Sequence, residues 1–251
     1  EAPDHYLITH ATTGLTCLED EITVSACTDA ACSSLMEVDI MGNLTKNDGS
    51  VTSTVSALTF SSGTATVTYS HSASGDITFA LSDMNVSSTN GTLCEDNSGT
   101  TTSCIQTYSD SGFLVTAPTD FESANGTHQV TVQAVKKDDS STTCVPDYIG
   151  PQDVTIDFSY ISPSTVNDTE PLKYSETSGG SQTDITSSTG LNTNLTFSDS
   201  TAEASFYVDY EDVGEISISV ADQNAVLSTG SDNVIVYPSQ LIIEVTDADD
   251  N

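Results

Sequence analysis

The chain has 251 residues, 36% of them hydrophobic, with 37 Asp and Glu against four Lys (Lys46, Lys136, Lys137 and Lys173), no Arg and no Trp. A net charge of −33 excludes nucleic acid as a partner, because phosphate recognition needs clustered Lys or Arg, and it disfavours anionic membrane surfaces. No run reaches the ~18 apolar residues of a membrane helix, so direct membrane insertion is not expected.

Strips of alternating apolar and polar residues follow one another along the chain, and helical spacing is nearly absent. In order they are "HYLITH" (5–10), "EITVSAC" (21–27), "EVDIMG" (37–42), "TATVTYSH" (64–71) and "DITFALS" (76–82). After these come "GFLVTA" (112–117), "HQVTVQAV" (128–135), "DVTIDFSY" (153–160), "ASFYVDY" (204–210), "EISISVA" (215–221) and "NVIVYP" (233–238). Gly, Asn, Asp, Ser or Pro clusters separate them. Many short strands at this spacing predict an all-β chain of Ig-like sandwiches, with one face of each strand in a core and the other in water.

An internal repeat sets the domain plan. "GDITFALSDMN" (75–85) matches "GEISISVADQN" (214–224), and the match runs back without a gap through Ala65, Val67, Tyr69 and His71 onto Ala204, Phe206, Val208 and Tyr210. Each copy reads as a hairpin. A weaker echo relates "EITVSA" (21–26) to "QVTVQA" (129–134). Two tandem Ig-like β-sandwiches are therefore expected, at 1–88 and 104–238, joined by a turn-rich connection at 89–103. The second carries a long polar insertion that includes a mobile Ser/Thr/Gly-rich loop at 175–190. Residues 239–251 then begin a following domain or form a terminal linker. The chain opens at Glu1 without Met or a signal peptide and reads as a mature chain or a piece of a longer one.

Six cysteines occur, at Cys17, Cys27, Cys32, Cys94, Cys104 and Cys144. No C-x2-C pair exists for a zinc or redox motif, and the four His (His5, His10, His71, His128) accompany no Cys motif. An even count in an acidic, Thr-rich β chain indicates disulfides and an oxidising compartment. Strand order favours 17–94, 27–32 and 104–144. The chief rival joins Cys94 to Cys104 and leaves Cys17 for Cys144.

No catalytic residue is expected. There is no G-x-S-x-G nucleophile motif, the cysteines are read as oxidised, and carboxylate pairs have no specificity among 37 acids. His5 and His10 are placed on opposite faces of one strand by their odd spacing. His71 matches Tyr210 and is read as a packing position. Calcium is the candidate cofactor, since it takes several oxygen ligands from closely spaced carboxylates. Asp247, Asp249, Asp250 and Asn251 are its expected ligands. "DADDN" there resembles the D-x-N-D-N linker that ends cadherin repeats, with Asp249 where that pattern has Asn. Weaker candidates are Glu19-Asp20-Glu21, Asp138-Asp139 and Asp209-Glu211-Asp212. Six N-x-[ST] sequons suggest glycans if the chain is a eukaryotic secreted protein, and a by-product of Thr- and Ser-rich composition if it is bacterial.

"DHYLITHATTGLTCLEDEITVSACTDAACSS" (4–34), "SCIQTYSDSGFLV" (103–115), "VQAVKKDDSSTTCVPDYIG" (132–150) and "VDYEDVGEISI" (208–218) together resemble the MshQ-like proteins. These are secreted bacterial proteins associated with mannose-sensitive haemagglutinin (MSHA) type IV pili. The resemblance covers about 4–238 and carries no catalytic motif onto this chain. It implies an extracellular, surface-located bacterial component. Neighbouring domains of a longer chain, pilus components and a host or surface receptor are its implied partners. Two functions fit: a non-enzymatic stalk or adhesin-type module in surface attachment, and a glycan- or receptor-binding domain in its own right. A calcium-stiffened, cadherin-like repeat unit is a further alternative.

Overall fold

A computed structural model describes residues 2–96, 99, 101–163, 170–187 and 189–239. Its described residues are all β and form two sandwiches. The first is built from β1 (His5–Thr9), β2 (Thr13–Leu15), β3 (Glu19–Cys27), β4 (Met41–Asn47), β5 (Thr52–Thr59), β6 (Thr64–Ser70), β7 (Gly75–Ser82), β8 (Thr92–Glu95), β9 (Thr101–Thr102) and β10 (Ile105–Ser109). One of its sheets has the order β6-β3-β1-β8-β9 and the facing sheet β2-β10-β7-β4-β5.

The second sandwich follows with β11 (Ser111–Thr116), β12 (Asp120–Glu122), β13 (His128–Lys137), β14 (Cys144–Pro146), β15 (Gly150–Ser162), β16 (Leu172–Ser175), β17 (Thr183–Ile185), β18 (Leu191–Phe197), β19 (Glu203–Asp209), β20 (Gly214–Asp222) and β21 (Gly230–Tyr237). Its sheets run β11-β13-β19-β16-β17, with β14 added to β13, and β12-β21-β20-β15-β18. Both sandwiches share a device. The first strand breaks in two and its second half crosses to the other sheet, pairing parallel with the last strand: β2 with β10, and β12 with β21.

The period-2 pattern explains the cores. Ile22, Val24 and Ala26 of β3 are fully buried, as are Val130, Val132 and Ala134 of β13, so the weaker repeat marks equivalent strands. Ile77 and Phe79 enter the first core with Leu81 at its margin, and Ile216, Ile218 and Val220 enter the second. The strong repeat holds at the backbone too. Gly75 and Gly214 both take a positive φ, +133° and +137°, that side chains with a Cβ rarely adopt.

Several expectations are corrected. The repeated strand–turn–strand is an arch rather than a hairpin: β6 and β7 lie in opposite sheets, and so do β19 and β20. Strands β8, β9 and β10 complete the first sandwich instead of linking it to the second or opening that one. Strand β8 pairs parallel with β1, and β10 pairs with β7. The pattern in β10 misleads because Gln106 and Tyr108 point inward while Ile105 stays exposed. The strip "EVDIMG" is mostly outside strand; the strand is β4, and its partner β5 escaped notice because Thr and Ser fill it. The insertion contributes structure as well, since β17 pairs with β16 and buries Ile185.

Candidate functional site: the junction between the sandwiches

The cysteines occupy three different levels of the fold. Cys27 and Cys32 are bonded across a short turn after β3, as expected. The other two bonds follow the rival pairing, Cys94–Cys104 and Cys17–Cys144, and overturn 17–94 with 104–144. The reason is topological. Because β8 and β10 both belong to the first sandwich, Cys94 and Cys104 meet there. Cys17, in the turn between β2 and β3, instead faces β14 of the second sandwich, where Cys144 begins the strand. Sequence spacing carries no signal for this, because the partners are 127 residues apart.

Cys17–Cys144 is therefore a covalent bridge between sandwiches, and polar contacts surround it. Thr16 Oγ1 donates to Asp110 Oδ1 at 2.7 Å, and the Thr16 amide donates to the Ser109 carbonyl at 3.0 Å. From the second sandwich, Lys137 Nζ donates to the Ser72 carbonyl of the first. Lys136 pairs with Asp147 at 3.5 Å. A Cβ on Gly112 would stand 2.8 Å from Leu15 Cδ2, so β11 passes close to the Leu15 side chain of β2.

A cleft of about 680 Å³ opens beside this junction. One wall is the 11–15 segment with Asp20, and the other is the outer face of β20 and β21, including Ser217, Ser219 and Asn233. Asp20 Oδ2 accepts from Tyr108 OH at 2.7 Å and from Gln106 Nε2 at 2.8 Å. Burial pushes the Asp20 carboxyl up, against those two hydrogen bonds, and pushes the Tyr108 hydroxyl far up with help from the Asp20 contact. The carboxylate thus serves as the acceptor that lets two polar side chains of β10 enter a core.

The remaining sequence candidates scatter. Asp138 closes a turn by accepting from the Ser140 hydroxyl at 2.6 Å and amide at 2.8 Å, which lowers its carboxyl. Asp209 is buried against Gln182, whereas Glu211 pairs with Lys173 and Asp212 caps the Val213 amide. The three do not converge on one point as ligands. Asp247, Asp249, Asp250 and Asn251 lie outside the described residues. His5 and His10 are both buried, and His10 falls just beyond the end of β1. His71 is only part-buried, held between Tyr69 and Lys46, so it does not copy the fully buried Tyr210. Burial first, then Lys46, lowers its imidazole.

Among the described residues, one group of three potential metal ligands comes together: His5, Cys27 and Cys32. Both of its sulfurs are spent in the disulfide. Among the described residues no helix is long and apolar enough to cross a membrane.

A family model described as "Domain of unknown function (DUF6701), first Ig-like domain" matches residues 91–236, more than half of the chain. A second, "Domain of unknown function (DUF8613)", matches 4–90. No curated protein matches. Among solved structures, the Yersinia pseudotuberculosis adhesin InvE aligns at 12% identity with a TM-score of 0.33, over 92% of this chain and 58% of that one. The D0-D1 domain of Intimin aligns at 16% identity with a TM-score of 0.34, over 92% and 97%. A beta-glycosidase from Bacteroides vulgatus aligns at 8% identity with a TM-score of 0.31, over 94% of this chain and 25% of that one. The chain thus spans 58% and 25% of the lengths of the InvE and glycosidase structures.

Proposed function

We infer that this chain, which belongs to the DUF6701 family, is a non-enzymatic spacer of a bacterial surface protein: a stiff two-sandwich stalk that holds neighbouring domains away from the cell. The observation that carries this reading is the Cys17–Cys144 bridge. Two domains joined by chain alone move relative to each other by default. A disulfide at the junction, backed by Thr16–Asp110 and Lys137–Ser72, removes most of that freedom. A spacer needs this property; an isolated binding domain does not.

Three disulfides with no free thiol suit an oxidising, extracellular setting. The large negative charge keeps neighbouring copies apart. Association with a pilus is the finer part of the proposal and rests on the resemblance to MshQ-like proteins. Labelling of intact pili by an antibody against this chain tests it.

The stalk itself is tested by distance distributions between spin labels placed on Ser53 and Thr196 through unnatural amino acids. The oxidised protein is expected to give a narrow distribution, and a Cys17→Ser/Cys144→Ser variant a broader one. Equal widths would remove the basis for a stiff spacer. The junction cleft favours a second reading, a module that binds a glycan or receptor in its own right. A glycan array on the folded chain distinguishes the two, since a spacer gives no hits.

A further inference from the structure

The turn after β3 holds chemistry that a spacer does not need. His5 is the direct cross-strand partner of Cys27 in the β1–β3 register. It is buried, and so is Cys27, while Cys32 is partly exposed. One ring nitrogen of His5 and the two sulfurs lie within 4.8 Å of one another. His5 Nδ1 sits 2.9 Å from Asp4 Oδ1. With Nδ1–H donating to that carboxylate, Nε2 keeps its lone pair, as in carboxylate–histidine–metal arrangements.

The turn is also held in shape without its disulfide. The Asp29 carboxylate accepts from the amides of Ala31, Ser33 and Ser34 and from the hydroxyls of Ser33 and Ser34, at 2.8–3.2 Å. Those bonds, led by the Ser33 hydroxyl, hold its carboxyl far below the usual range. The Thr28 amide and hydroxyl both donate to the Ser34 carbonyl at 3.0 Å. Breaking the S–S bond therefore leaves Cys32 beside Cys27. Their Cα atoms are 4.7 Å apart, and side-chain rotation alone can open the sulfurs to the ~3.8 Å that two thiolates span on a tetrahedral metal with bonds of about 2.3 Å.

We propose that His5, Cys27 and Cys32 form a redox-gated metal site for a zinc-class cation, closed by the disulfide and opened by its reduction. A dithiol reductant supplies two electrons and two protons, becoming a disulfide while Cys27 and Cys32 become thiols. Binding of the divalent cation then releases both thiol protons to solvent. Two thiolates and one imidazole complete three positions, and water takes the fourth. Soft sulfur ligands with one imidazole select zinc or its spectroscopic substitute cobalt(II) over calcium or magnesium. The site belongs to the chain before its oxidation, or wherever a dithiol reaches it.

The test uses the full chain, reduced stepwise with dithiothreitol, with alkylation and mass spectrometry reporting which bridge has opened. After removal of reductant without oxygen, cobalt(II) is titrated in. The expected result is one equivalent per chain with a thiolate charge-transfer band, protection of Cys27 and Cys32 from alkylation, and no band in the oxidised protein. Asp4→Asn should weaken binding about 10–100-fold, the usual loss for such a partner, and His5→Gln should weaken it further. Binding that protects other cysteines, or that is indifferent to His5→Gln, overturns the proposal. So does a bridge that opens only as the fold is lost, since the site then never exists in the folded chain.

Discussion

Gly75 and Gly214 make a matched pair for measuring what the fold demands of an arch. Both open the second strand of the repeated unit with nearly the same φ, +133° and +137°. Alanine at either position meets the same backbone penalty, about 1–3 kcal/mol. It also removes the same freedom from the unfolded chain, a gain of about 0.4–1 kcal/mol. Their surroundings differ. A Cβ at Gly75 would have nothing within 4 Å, whereas at Gly214 it would lie 2.4 Å from the Ser162 carbonyl oxygen. That oxygen is backbone at the end of β15, which pairs with β20, so it cannot swing aside. Overpacking of this kind costs about 1–3 kcal/mol more. Gly214→Ala should therefore destabilise by about 1–3 kcal/mol beyond Gly75→Ala. Urea unfolding of each single variant, with hydrogen exchange reporting the two sandwiches separately, measures the difference. If the two substitutions cost the same, the Ser162 contact is not what requires glycine. If neither costs more than a few tenths of a kcal/mol, the shared φ is not a constraint at all.

Removing the inter-sandwich bridge with Cys17→Ser/Cys144→Ser should lower stability by up to about 5 kcal/mol on the chain-entropy account of so long a loop, read as a lower urea midpoint for the oxidised chain. Asp222→Ala should cost about 2–4 kcal/mol, because its carboxylate holds Gln152 and the amides of Asn224, Val226 and Leu227 at 2.6–3.1 Å. Burial pushes that carboxyl up, yet these donors together hold it below 3.8. Its stabilisation is thus complete above the unfolded value and lost as pH falls through the lower folded one, a slope that Asp222→Ala should remove from acid unfolding curves. Asp48 should titrate at about 2 by NMR, held down first by the Ser50 hydroxyl and then by the Val51 and Ser50 amides. Ser50→Ala should return it toward 3.8, and an unchanged value would show that the hydroxyl is not responsible.

The sequence by itself determined whatever repeats every two residues. Ile22, Val24 and Ala26, and their counterparts Val130, Val132 and Ala134, had to be buried together because alternate side chains of a strand share a face. The all-β class, the presence of two related sandwiches, the short Cys27–Cys32 loop and the positions of Gly75 and Gly214 follow from such local rules. Tertiary structure decided what local rules leave open. An apolar strip says that a strand has a buried face but not which sheet it joins, so the same alternation serves a hairpin or an arch. Strand β10 was illegible because its inward residues, Gln106 and Tyr108, are polar, and the carboxylate that accepts from both, Asp20, lies far away in the chain. Cysteine pairing is equally non-local: Cys17 reaches Cys144 because two sandwiches meet there. His5 likewise reaches Cys27 only through the β1–β3 register. A pairing energy depends on which groups end up adjacent, and adjacency across so many residues is set by the packing of whole sheets.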